Sequence, residues 1–215
     1  MTIGRRAPVW MLLLFHLTLM AHAAPDAHKS VYDYSLVDLA GKEVPLSSYK
    51  GKVLLIVNLA SQSIYNTQIS ALEKLQKDYS DKGLVVIGIP SADFGSQELA
   101  DNTAIQHYYT DKEHVSFQVF SKASLRGKDS IPLVHLLTDT KEGAGGGDIH
   151  WNFTKFLVDR QGRPVLRFET DSDPSDSEFR VALEKVLNGT YKKKEPGAKD
   201  SNSPPADDDG DDDGV

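Results

Sequence analysis

The chain has 215 residues and is 40% apolar, which suits one domain with a real core plus appendages. Its net charge of −7 argues against a nucleic-acid binder, which needs a basic footprint. It has no cysteine, which excludes disulfides, Cys-based metal centres and thiol chemistry.

Residues 1–23 read as a secretory signal peptide. Arg5 and Arg6 supply the positive start, Val9 to Met20 the apolar core, and Ala21-His22-Ala23 the small residues before a cleavage site. A bilayer-spanning helix needs about 20 apolar residues, more than this core provides, so no stable membrane insertion is expected. All three methionines, Met1, Met11 and Met20, lie in this leader, so a chain cleaved after it carries no sulfur. The expected location is secreted, or the lumen of the secretory pathway.

The folded domain is expected over 24–190. His28 to Lys50 reads as a β-hairpin: Tyr32, Tyr34 and Leu36 alternate with polar residues, Ala40-Gly41-Lys42 turns, and Val44 and Leu46 return. Val53 to Val57 is an apolar, β-branched run, the pattern of a strand buried on both faces, and the strand is expected over 53–58. The chain then turns small and polar at Ser61-Gln62-Ser63, where an α/β protein places its chemistry. Gln68 to Lys82 is expected as a helix, with Ile69, Leu72, Leu75 and Tyr79 on one face and Gly83 as its stop. Leu84 to Ile89 is a second buried strand, ended by Pro90.

Ser96 to Tyr109 reads as a second helix with Ser96 as N-cap. Val115 to Ser121 is extended, and Pro132 to Thr138 is a short helix with Pro in its first turn. Gly143 to Gly147 is a flexible connector. Phe153 to Val158 and Pro164 to Phe168 form a hairpin, and Pro174 to Leu187 is a closing helix. Alternating strands and helices give an α/β class, and the last hairpin makes the central sheet mixed. Residues 191–215 form an acidic tail expected to be disordered, with no apolar residue larger than alanine or proline between Tyr191 and Val215. Asp207 to Asp213 contains six aspartates, hard oxygen donors that allow a second reading as a calcium- or mineral-associated secreted protein.

Four stretches together resemble the glutathione peroxidase family. Val57-Asn-Leu-Ala-Ser-Gln-Ser63 resembles its V-N-V-A-S-x-[C/U] segment. Ile89-Pro-Ser-Ala-Asp-Phe-Gly-Ser-Gln-Glu98 resembles F-P-C-N-Q-F-G-x-Q-E, Val115 to Lys122 a segment ending F-x-K, and Trp151-Asn-Phe-Thr-Lys-Phe-Leu157 the W-N-F-x-K-F-L motif. The short connector 139–150 is similar to the monomeric phospholipid-hydroperoxide type, so a monomer is expected. The resemblance implies a thioredoxin-like fold and thiol-dependent reduction of hydrogen or lipid peroxides, part of the response to oxidative stress. No cofactor is implied; glutathione or thioredoxin would be the reductant.

Carried over by position, the family's catalytic Trp and Asn are kept as Trp151 and Asn152. Its peroxidatic Cys or selenocysteine falls on Ser63, and its Gln falls on Asp93. Other frequent family cysteines fall on Ser91 and Ser124. Peroxide reduction needs an oxidisable anion whose oxidised form thiols can return, which a thiolate provides and a serine hydroxyl does not. A carboxylate at Asp93 would raise the pKa of a neighbouring acid. Little or no peroxidase activity is therefore expected, and a protein partner in place of a peroxide and a thiol. A conventional peroxidase would require Cys or selenocysteine at position 63 in the natural product. Ser63 lacks the nucleophile-elbow pattern of a hydrolase, and His107, His114, His135 and His150 show no triad spacing. Pairing Asp93 with His150 on a metal has equally little support.

Two glycosylation sequons occur, Asn152-Phe-Thr154 and Asn188-Gly-Thr190. The first overlaps the site motif and is expected to be buried; Asn188 is the candidate.

Overall fold

The computed structural model describes residues 29–139, 141 and 143–192. Residues 1–28, with the expected leader, and residues 193–215, with the aspartate run, lie outside the described residues. A short antiparallel pair opens the domain, β1 (Ser35–Val37) and β2 (Glu43–Pro45). The expected hairpin is present but trimmed. Tyr32 and Leu46 belong to 3₁₀ turns, Val31–Asp33 and Leu46–Tyr49, that seal the hairpin against the body.

The body is a five-stranded mixed sheet. Its strands are β3 (Val53–Leu59), β4 (Leu84–Pro90), β5 (Gln118–Val119), β6 (Lys155–Val158) and β7 (Pro164–Phe168), in the order β5-β4-β3-β6-β7. β3 pairs parallel with β4 and antiparallel with β6. Every residue of β3 is buried, as the apolar run Val53 to Val57 predicts for its first five. Side chains alternate between the two faces. Val53, Leu55, Val57 and Leu59 meet α1 (Ile69–Tyr79), α2 (Asn102–Gln106) and α4 (Ser177–Leu187). Leu54 and Ile56 meet α3 (Pro132–Thr138) and the N-terminal hairpin. Asn58 falls on this second face, in the place where the next apolar residue would stand.

The helix at 68–82 is shorter than its periodicity predicts. It runs as 3₁₀ turns at Ile64–Gln68 and Ser80–Lys82 around α1, and Gly83 stops it in the left-handed region at φ 94°. The second helix is corrected more deeply. Ser96 is not its N-cap but sits at φ 54°, and the helix begins at Asn102, capped by Asp101, whose Oδ1 accepts from Ala104 N at 2.9 Å. The six residues after α2 widen into a π-helix over His107–Lys112. Residues 93–98 are spent on the site described below. Among the described residues no helix is long and apolar enough to cross a membrane.

One charge is fully buried in the sheet. Lys155 donates to the Ser172 carbonyl at 2.7 Å and to those of Glu169 and Thr170 at 3.4 Å. Burial pushes its ammonium down to about 8, against the carboxylates of Asp173, Asp171 and Glu169, which act the other way. The folded chain therefore sheds this proton near pH 8, while an unfolded chain holds it to the ordinary value of 10.5. Stability from this group is complete above the unfolded value and is lost as pH falls through the folded one. The gain should be at most about 1.4 kcal/mol per pH unit across that window. Urea unfolding of Lys155→Met should lack this rise; parallel pH slopes for the variant and the natural chain would refute it.

Candidate functional site

The parallel register of β3 and β4 aligns Leu59 with Pro90, so both strands release their following loops at one edge of the sheet. Ser91 N donates to Leu59 O at 3.0 Å there. The first loop carries Ser61 to Ser63, the second Ser91 to Glu98. Gln62 N donates to Gln97 O at 2.9 Å and ties them together. The third segment, Trp151 to Thr154, enters β6 beside β3. Asn58 Nδ2 donates to Trp151 O at 3.1 Å, and Phe153 N to Asn58 O at 2.7 Å. Phe153 is buried at φ 61°, a left-handed conformation that costs energy in a bulky residue.

Ser63 is 2% exposed. It is the N-cap of the 3₁₀ turn Ile64–Gln68, and its Oγ accepts from Tyr65 N at 3.3 Å. A serine is well suited to that capping role. None of the described hydrogen bonds joins it to a histidine: His107 pairs with Asp111, and His135 lies 3.5 Å from Ser130 Oγ. His114 and His150 are exposed. No group of three or more His, Asp or Glu side chains placed to hold a metal occurs among the described residues.

Asp93 leaves the same edge as Ser63, but its carboxylate is used elsewhere. Its Oδ2 accepts from Ser124 Oγ at 3.0 Å, Leu125 N at 2.6 Å and Arg126 N at 3.1 Å. The side chain is an anchor for the 124–126 loop. Its effect on position 63 is that of an exposed, hydrogen-bonded anion rather than a direct contact.

Asn152 is fully buried, and Nδ2 donates to Phe94 O and Gln97 Oε1, both at 2.9 Å. Both amide hydrogens are thereby used, leaving none for residue 63. The Oδ1 atoms of Asn152 and Asn58 are buried without a partner. Phe153 and Phe156 are buried, but Trp151 is 39% exposed and lies at the rim. Gly95 gives it room: at φ 75° it favours glycine, and a methyl group there would come 3.3 Å from Trp151 Cη2. Beside the Ser63 loop, Ile64 is 79% exposed. The rim is apolar and the floor polar.

The floor rests on a residue that periodicity passed over. Glu98 is buried and draws four donors: Ser61 N at 3.1 Å, Ser61 Oγ at 2.5 Å, Tyr109 OH at 2.9 Å and Leu99 N at 2.7 Å. Burial, then the charge of Glu98, pushes the Tyr109 hydroxyl well above its usual range, so it remains a donor. Asn66 closes the loop from the other side, donating to Ser61 O at 2.9 Å and Tyr108 OH at 3.2 Å. In the sequence Ser96-Gln97-Glu98 looks like a helix's first turn; the clue that it is not is Gly95, directly before it.

A family model described as glutathione peroxidase matches residues 31–138. A probable phospholipid hydroperoxide glutathione peroxidase of Mesembryanthemum crystallinum is 41% identical over 172 residues, covering 80% of this chain and 99% of that protein. The crystal structure of T. cruzi GPX1 superposes with a TM-score of 0.59 at 30% identity, covering 76% of this chain and 100% of that one. A thioredoxin-family thiol:disulfide interchange protein from Chlorobium tepidum superposes at 0.55 with 18% identity, covering 76% of this chain and 99% of that one. This likeness identifies the fold as thioredoxin-like.

Proposed function

Since the chain belongs to the glutathione peroxidase family, we propose that it is a secreted member that no longer reduces peroxides and instead binds a protein partner through the cleft around Ser63. The Mesembryanthemum crystallinum relative is named as a probable peroxidase, and peroxide reduction with a thiol reductant is the family's reaction. One observation carries the departure: the residue at the peroxidatic position is a buried serine whose Oγ caps a 3₁₀ turn. A hydroxyl cannot be oxidised and returned by thiols as a sulfur anion can.

The rest of the site agrees. Asp93 serves the 124–126 loop, and both amide hydrogens of Asn152 are used within the floor. The exposed pair Ile64 and Trp151 supplies apolar contact area at the rim. The leader at 1–23 supports secretion, and its removal takes the last sulfur with it.

The test treats the secreted chain with hydrogen peroxide in the presence of dimedone and maps the peptide containing residue 63. An unmodified serine peptide is expected. A dimedone adduct at residue 63 would mean a sulfenic or selenenic acid, hence a natural Cys or selenocysteine, and would restore the conventional peroxidase reading.

A further inference from the structure

The structure separates the two sequons completely. Asn152 is fully buried, and its amide nitrogen donates twice inside the domain. A sugar on that nitrogen would remove at least one of those bonds and have no volume to occupy. Asn188 is exposed at the C-terminal end of α4. Its backbone N donates to Glu184 O, and Gly189, at φ 68°, turns the chain away so that Thr190 is exposed as well. No described hydrogen bond holds the Asn188 side-chain amide.

Its place in the fold matters as much as its exposure. The Arg160 guanidinium donates to Gly51 O at 2.8 Å, Lys82 O at 2.8 Å and Leu187 O at 3.2 Å. These carbonyls mark the end of the sheet where β3 and β4 begin. Ser63 follows the opposite end of β3. A seven-residue strand spans roughly 20 Å, so Asn188 is attached about that far from the Ser63 loop.

We propose that Asn188 carries an N-linked oligosaccharide, at the pole opposite the cleft and at the junction with the acidic tail. The proposal rests on the secreted reading given above. The donor is a lipid-pyrophosphate oligosaccharide of the secretory pathway. The Asn188 Nδ2–C1 bond forms as the C1–O bond to pyrophosphate breaks. The pyrophosphate leaves with the electron pair, and the amide gives up one proton.

The full chain is expressed in a secreting eukaryotic cell, in parallel with residues 24–215 behind a leader of established efficiency. Medium is treated with peptide-N-glycosidase in heavy-oxygen water, and the deglycosylated peptides are mapped. One mobility step is expected, with conversion to labelled aspartate at 188 and none at 152; Asn188→Gln should abolish the step and leave secretion intact. An unmodified Asn188 in chain secreted by the efficient leader overturns the proposal, as does a glycan at Asn152. Secretion behind the efficient leader but not behind residues 1–23 refutes the leader reading alone, and Asn188 is then still judged on the first of these chains.

Discussion

Ser63→Cys combined with Asp93→Gln should form a peroxide-dependent sulfenic acid about two- to threefold faster than Ser63→Cys alone. The single variant places a thiol where burial raises its pKa and where an exposed anion leaves the same sheet edge. Removing that anion favours the thiolate; one pKa unit is about a tenfold change in its population, and a screened charge out of contact moves it by about a third to a half of a unit. The thiolate would also gain from Tyr65 N–H, which already points at the Ser63 Oγ. The double variant has a structural cost. Asp93 Oδ2 accepts three hydrogen bonds from residues 124–126, and a longer neutral side chain cannot replace all of them. Urea unfolding should show a loss of about 1–3 kcal/mol. Dimedone trapping over time gives the rates. Equal, near-zero rates in two folded variants would contradict the view that these positions silence the chemistry.

Glu98→Ala should be the most damaging single substitution at the site, costing about 3–5 kcal/mol of a total near 5–15. It would strand four donors, two from Ser61 and one each from Tyr109 and Leu99, and leave a cavity beneath the loop that carries Ser63. Glu98→Gln keeps the volume but sets its NH₂ group against donors, so a loss of about 2 kcal/mol is expected. Tyr109→Phe removes one donor and leaves the carboxylate with three, so it should cost less than either. Urea midpoints at constant m separate these cases. A Glu98→Gln variant within about 0.5 kcal/mol of the natural chain would show that the network does not hold the loop.

The elements that could be read from sequence are those whose own pattern decides their conformation. The β3 run, the α1 stripe and Pro132 at the start of α3 declare themselves locally. The site was legible as a set of positions, because Ser63, Asp93, Trp151 and Asn152 fall at the ends of predicted strands or in recognisable motifs. Their roles were not, because those depend on distant partners. Asp93 anchors a loop 31 residues away. Ser96-Gln97-Glu98 imitates a helix start, yet Ser96 is left-handed and Glu98 is pulled into the core by Ser61 and Tyr109. Trp151 has the composition of a packing residue, but the left-handed Gly95 gives it a place at the rim instead.

The account centres on a peroxidase fold without a peroxidatic atom. The most direct measurement is steady-state turnover by residues 24–215. Hydrogen peroxide and a lipid hydroperoxide serve as oxidants, with glutathione and, separately, a thioredoxin system as reductants. The predicted rate equals the uncatalysed thiol background for every pair. Saturable turnover above that background, abolished by Ser63→Ala, would contradict the account and place working redox chemistry at residue 63.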